Sequence, residues 1–215
     1  GCDVDASMGA LTPPIHPSST YERDEDLEYR RGFVYARASN PTRSLLERVL
    51  ADIETPRGAR PGDACAFASG VAAAAAVFQA LPGGHVVLAD DVYHGNRSLM
   101  MQVFEDWGLR WTMVDMTDLP EVERALDDAR AAQRSRVDRL EGGMGDENVV
   151  VWAETPSNPL LKVTDIRALA AICAKGDRQV PLIVDATWCT PWICQHLGLG
   201  ADLVVHSTTK YFGGH

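Results

Sequence analysis

From about residue 44 onward, short runs that are apolar throughout alternate with stretches of helical periodicity, and few folds accommodate that pattern. The runs are Ala64–Ala68, His85–Ala89, Arg110–Val114, Val149–Ala153, Leu182–Val184 and Leu203–Val205. A strand that is apolar on both sides belongs to a sheet covered on both faces, which in practice is a parallel sheet. Between the runs, residues 71–81, 97–107, 119–132 and 165–174 read as helices. Leu45, Leu46, Val49, Leu50 and Ile53 recur at helical spacing and predict an earlier helix from Ser44 to before Pro56. The expectation is an α/β domain, a mostly parallel sheet sandwiched by helices. In such sheets binding and catalytic groups collect beyond the strand C-termini.

The boundaries expected are an extended N-terminal arm over residues 1–43 and an α/β domain over 44–215. The arm carries Pro13, Pro14, Pro17, Gly32 and Pro41 among charged residues, without a sustained apolar period. Residues 133–147, with Arg134, Arg136, Arg139, Glu141 and three glycines, read as a solvated polar insertion. Thirty acidic against twenty basic residues give a net charge of −10, which argues against nucleic acid, since duplex binding needs clustered cations. No apolar run approaches the ~20 residues of a membrane span. Five cysteines without regular spacing suggest a reducing compartment, the cytoplasm or an organelle, with the cytoplasm the expectation. Cys189 and Cys194 near His196 match no zinc spacing, so no metal is expected. The chain starts at Gly1 without an apolar leader, so a processed N-terminus or a fragment is expected.

Nucleotide motifs do not survive inspection. Gly198-Leu199-Gly200 lacks the third glycine and precedes a strand, where a dinucleotide fingerprint follows one. What remains lies at run ends. Ser69-Gly70-Val71 opens a helix; Ser69 reads as an ordinary cap or as part of an anion cradle. Tyr93 and His94 follow the His85–Ala89 run, and each alone reads as a packing or hydrogen-bonding residue. Glu154-Thr155-Pro156-Ser157-Asn158-Pro159 makes a proline-stiffened turn that fixes Asn158. Asp185 closes an apolar strand and needs a hydrogen-bonding or positive partner, a helix N-terminus or a protonated ring nitrogen. Lys210, after the last run and among Ser207, Thr208 and Thr209, is badly placed for a solvated cation and well placed as an amine nucleophile.

Taken in order, Tyr35-Ala36-Arg37 with Asn40-Pro41-Thr42-Arg43, Ser69-Gly70, Asp91-Val92-Tyr93, Glu154 to Pro159, Val184-Asp185 and His206 to Tyr211 resemble the Cys/Met-metabolism pyridoxal-phosphate enzymes. That family includes cystathionine γ-synthase, the cystathionine lyases and methionine γ-lyase. The resemblance runs from about Thr12 to His215. It implies pyridoxal 5'-phosphate as cofactor and the large domain of an aspartate-aminotransferase-like (fold type I) enzyme, with the C-terminal small domain missing. It implies Lys210 as the Schiff-base lysine and proton carrier, Asp185 beside the pyridine nitrogen, Tyr93 stacked on the ring and assisting proton transfer, and Asn158 at the phenolic oxygen. Ser69, the Gly70 and Val71 amides, Ser207 and Thr209 would cradle the phosphate, with Thr187 beside the ring. Tyr35 and Arg37 resemble a pair that crosses to a neighbouring subunit's phosphate, so a homo-oligomer with shared sites is implied.

Val71, Ala186 and His94 depart from the family's common methionine, asparagine and glycine. Gly95 stands where methionine γ-lyases carry cysteine, which points away from that activity. The expected reaction is γ-replacement or elimination on an activated homoserine or cystathionine, as in cystathionine γ-synthase. Cystathionine γ- or β-lyase is the alternative, since every quoted motif is common to all three. The family's arginine for the substrate carboxylate lies beyond the last residue, so a catalytically silent partner subunit is a further reading, and a cofactor-free acidic binding module another.

Overall fold

A computed structural model describes residues 8–60, 62–137, 148–176 and 179–214. Its contacts divide the chain into two units, Gly1–Ala66 and Phe67–His215. In the first, the described residues before Pro41 contain no helix and a single antiparallel bridge, Thr20 to Tyr35. Helix α1 spans Pro41–Glu54, three residues earlier than its apolar period suggests. The reason is its cap: the Asn40 side chain accepts from the Thr42 and Arg43 amides, and Pro41 supplies a preset φ where no N–H is required. The Asn40 amide also donates to the His16 carbonyl at 2.9 Å, and Arg43 donates to the Ala36 and Ala38 carbonyls, tying the preceding segment to the helix.

The second unit is built on five parallel strands: β1 (His85–Ala89), β2 (Arg110–Val114), β3 (Val149–Glu154), β4 (Leu182–Asp185) and β5 (Leu203–Val205), in spatial order β2-β1-β3-β4-β5. The expected parallel α/β architecture is present. Every residue of β1, β3 and β4 is buried, whereas β2 and β5, at the two edges, are only partly so. Helices α2 (Gly70–Gln79), α3 (His94–Leu99), α4 (Leu119–Val137) and α5 (Ile166–Cys173) connect and cover these strands. Chain order reverses across the sheet between β1 and β3, which opens a crevice at their carboxyl ends.

Three local expectations are corrected. Ala64–Ala68 is not a strand; Cys65, Phe67 and Ala68 are exposed. Three alanines give it little side-chain surface to pack on a sheet, and alanine is a poor strand former. The helix expected over 97–107 begins at His94 and passes at Met100–Phe104 into a π-turn, with the Glu105 amide on the Met100 carbonyl. The wider turn brings Met100 and Phe104 onto one buried face. Helix α4 runs on through 133–137, part of the expected polar insertion, because Gln133 is buried and donates to the Gly83 carbonyl at 2.9 Å. The rest of that insertion, 138–147, lies outside the described residues.

At the centre Trp152 of β3 packs on Phe78 of α2, ring centroids 5.0 Å apart, and Phe78 meets Phe104 edge-on at 5.6 Å. All three rings are essentially inaccessible to solvent. Phe78→Ala is therefore expected to destabilise the protein by about 3–5 kcal/mol, transfer and cavity contributions together. A urea titration followed by tryptophan fluorescence checks this through the fall in the unfolding midpoint.

Candidate active site

Because every strand points the same way, the loops after β1, β3, β4 and β5 and the start of α2 meet at one edge of the sheet. They enclose a pocket of about 600 Å³, a volume typical of cofactor and substrate sites. Ten of the twelve residues singled out from sequence line it: Ser69, Gly70, Val71, Tyr93, Asn158, Asp185, Thr187, Ser207, Thr209 and Lys210. The other two, Tyr35 and Arg37, belong to the first unit. There the Arg37 guanidinium lies 5.0 Å above the Tyr35 ring and both side chains are exposed.

One wall is the amino end of α2. Ser69 accepts from the Ala72 amide at 3.1 Å, which leaves the Gly70 and Val71 N–H groups in the open first turn. A Cβ at Gly70 would stand 3.0 Å from Ser207 Cβ, so a side chain there would require the helix or the β5 loop to give way. That loop is held in turn by the Ser207 amide donating to Thr187 Oγ1 at 2.9 Å. Backbone amides and hydroxyls thus converge at a helix N-terminus, the arrangement that suits a phosphate. His94, by contrast, does not line the pocket; its Nε2 pairs with Ser98 Oγ on an exposed helix face at 3.1 Å.

The floor carries two carboxylates. Asp185 ends β4 and accepts from the Thr187 amide at 3.0 Å and from Asn96 Nδ2 at 3.5 Å. Burial raises its pKa against the pull of the Thr187 and Asn96 hydrogen bonds and the field of His206. Glu154 ends β3 directly beside it in the strand register and accepts from the Tyr93 amide at 2.7 Å. Burial, then the charge of Asp185, push Glu154 up to about 8, opposed by the Tyr93 N–H. No Lys or Arg ion pair reaches either carboxylate among the described residues.

The Asn158 turn hangs on Asp91, which is buried. Its carboxylate accepts from the Ser157 hydroxyl and from the Leu160 amide at 2.8 Å, and its carbonyl accepts from the Asn158 amide at 3.3 Å. Both X-Pro bonds of this turn, Thr155-Pro156 and Asn158-Pro159, are cis. Lys210 departs from the expectation of an amine withdrawn from solvent: it lines the pocket with Asp185 but is exposed. The physical reason is that β5 is a three-residue edge strand ending at Val205, and Lys210 stands in the loop beyond it as the cap of the 3-10 turn Tyr211–Gly213.

Asn96, Glu154, Trp188 and Tyr211 also line the pocket and were not singled out from sequence. The signal for Glu154 was available: a carboxylate ending an apolar strand is the same argument that selected Asp185. Asn96 lies three residues after Tyr93, one turn along α3, a spacing that returns it to the same side. Trp188 and Tyr211 are adjacent to selected residues and carry no separate sequence signal.

The chain matches the family described as Cys/Met metabolism PLP-dependent enzyme over residues 1–215. It is 41% identical over 217 residues to cystathionine gamma-synthase of Mycobacterium tuberculosis, 40% over 217 to cystathionine gamma-lyase of Bacillus subtilis, and 39% over 216 to cystathionine beta-lyase of Lactococcus lactis. Each alignment covers 100% of this chain and 50% of the relative, so the chain spans about half the length of these proteins. The crystal structure of metB from Corynebacterium glutamicum superposes with a TM-score of 0.81 at 37% identity, again over 100% of this chain and 50% of the other. The chain belongs to the PLP-dependent enzymes of Cys/Met metabolism.

Two predictions follow from the floor and its support. Glu154 binds its proton more tightly folded (about 8) than unfolded (4.5), so through this group stability falls as pH rises from about 4.5 to 8. Glu154→Gln should remove that slope and raise Tm more at pH 8 than at pH 5, measured by differential scanning calorimetry. Asp91→Ala should leave the buried Ser157 hydroxyl and the Leu160 amide without their shared acceptor and cost on the order of 2–3 kcal/mol, measured by chemical denaturation.

Proposed function

We propose that this chain builds the cofactor-holding part of a trans-sulfuration enzyme most like cystathionine γ-synthase, acting on an activated homoserine or on cystathionine. The observation that carries the reading is the pocket that gathers Lys210, Asp185, Tyr93, Asn158 and the Gly70–Ser207 cradle at one sheet edge. The donor set fits pyridoxal 5'-phosphate at each end. A buried carboxylate without a Lys or Arg counter-ion among the described residues suits a protonated pyridine nitrogen, and two helix amides with three hydroxyls suit a phosphate.

Bound there, the cofactor would supply an electron sink for charge released at the substrate's α-carbon. Lys210 Nζ would hold the cofactor aldehyde and would carry protons between the substrate's α and γ carbons. Asp185, oriented by Thr187 and Asn96, would keep the ring nitrogen protonated. Tyr93 would cover the ring and assist proton transfer, Asn158 would donate to the phenolic oxygen, and Thr187 would pack alongside. Ser69, the Gly70 and Val71 amides, Ser207 and Thr209 would hold the phosphate. Tyr35 and Arg37, stacked and exposed, are the pair that reaches a second copy's phosphate, each charge-assisted contact being worth ~1.5–3 kcal/mol.

Against methionine γ-lyase stands Gly95: a Cβ there would run into the Tyr93 ring, so no side chain fits beneath it in this arrangement. The γ-synthase, γ-lyase and β-lyase relatives are nearly equally similar, so the choice among them needs an assay.

Incubation with pyridoxal 5'-phosphate, borohydride reduction and peptide mass spectrometry should place a pyridoxyl adduct on Lys210 and none on the Lys210→Ala variant. An unmodified Lys210 in cofactor-saturated protein refutes the reading. For the reaction itself, a chain extended to the length of the relatives should consume cysteine with an acylated homoserine faster than it cleaves cystathionine. The reverse order assigns a lyase.

A further inference from the structure

We propose that Glu154 is the residue that positions Tyr93: from the end of β3 its carboxyl oxygen holds the Tyr93 main-chain N–H, and this clamp sets where the phenol ring stands over the pocket. The clamp joins residues 61 apart in sequence across two adjacent strand ends, at 2.7 Å. Tyr93 needs such an external hold. It is the cap residue of α3, so its own N–H has no acceptor within that helix, and its side chain makes no capping hydrogen bond. Nor does core packing fix the residue, which is 44% exposed. Beside the ring lies Gly95, where any Cβ would collide with it. Its position therefore follows its backbone, and the backbone follows Glu154.

Glu154 is suited to this task in a way an exposed glutamate is not. It is 3% exposed, so the bond to Tyr93 is shielded from competing water. Its neighbour in register is Asp185. Two adjacent buried charges repel, and the raised affinity of Glu154 for its proton leaves a neutral acid whose carbonyl oxygen still accepts the Tyr93 N–H. With Glu154 engaged by the Tyr93 N–H, Asp185 is the strand-end carboxyl left to face a bound ring nitrogen. This purpose rests on the cofactor reading above, whereas the clamp itself rests only on the geometry.

The test compares Glu154→Gln, which keeps a neutral carbonyl acceptor, with Glu154→Ala, which has none. Without cofactor, hydrogen exchange at the Tyr93 amide followed by NMR should accelerate at least tenfold in Glu154→Ala, with the Val87 and Leu88 amides of β1 unchanged. Glu154→Gln should restore the protection. With pyridoxal 5'-phosphate bound, the visible circular dichroism, which reports how the aromatic side chain sits on the cofactor, should fall by half or more in Glu154→Ala and recover in Glu154→Gln. Should Glu154→Ala fail to fold, Glu154→Met fills the space without an acceptor and takes its place.

Unchanged Tyr93 exchange in the variant lacking an acceptor overturns the proposal. So does Glu154→Gln behaving like Glu154→Ala, because charge and not an acceptor would then be what matters. Faster exchange with unaltered dichroism overturns the positioning role as well. A wild-type protein that protects the Tyr93 amide yet binds no pyridoxal 5'-phosphate leaves the clamp standing and refutes the cofactor reading alone.

Discussion

All five strands run in one direction, and the site is a consequence of that. A parallel sheet must send its chain back over a face after every strand, so each strand ends at the same edge, and the loops that follow are neighbours in space although far apart in sequence. Residues near positions 70, 93, 154, 185 and 210 share one pocket for this reason. The reversal of strand order between β1 and β3 then sets the loops carrying Tyr93 and Asn158 on either side of a crevice.

The hydrophobic sheet also decides the electrostatics. β3 and β4 are buried along their whole length, and each ends in a carboxylate that remains in the low-dielectric interior. Side by side, Glu154 and Asp185 cannot both ionise without penalty, and the structure separates their surroundings. Asp185 receives the Thr187 and Asn96 hydrogen bonds and the field of His206, while Glu154, among the described residues, receives the Tyr93 amide and the opposing charges of Asp185 and Asp91. Burial raises the proton affinity of both, and they differ in their donors: Glu154 faces the Tyr93 amide, whereas Asp185 keeps Thr187 and Asn96.

The fold was legible where burial was complete. Val86, Val87 and Leu88, or Val149 to Ala153, are apolar at every position because both faces of the central strands are covered, and no exposed element demands that. Ala64–Ala68 shows the limit of the same signal: a run can be apolar without being large enough to earn a place in the sheet. The start of α1 was obscured because its cap, Asn40, lies outside the apolar period, and the π-turn at Met100 because hydrophobic spacing does not distinguish it from an α-turn.

The residue types at the strand ends were in the linear text: a lysine among hydroxyls, an aspartate closing an apolar run, an asparagine between prolines, and the glycine opening α2. Those identities suffice for the chemistry each group can do, because acidity, nucleophilicity and backbone freedom belong to the residue itself. What only the folded chain decided is which of them act together. Strand register sets Glu154 against Asp185, loop packing brings Asn96 to the same carboxylate and Asp91 under the Asn158 turn, and the short edge strand β5 leaves Lys210 open to solvent. Proximity of groups thirty or more residues apart comes from chain topology and packing, and neither is written in local sequence.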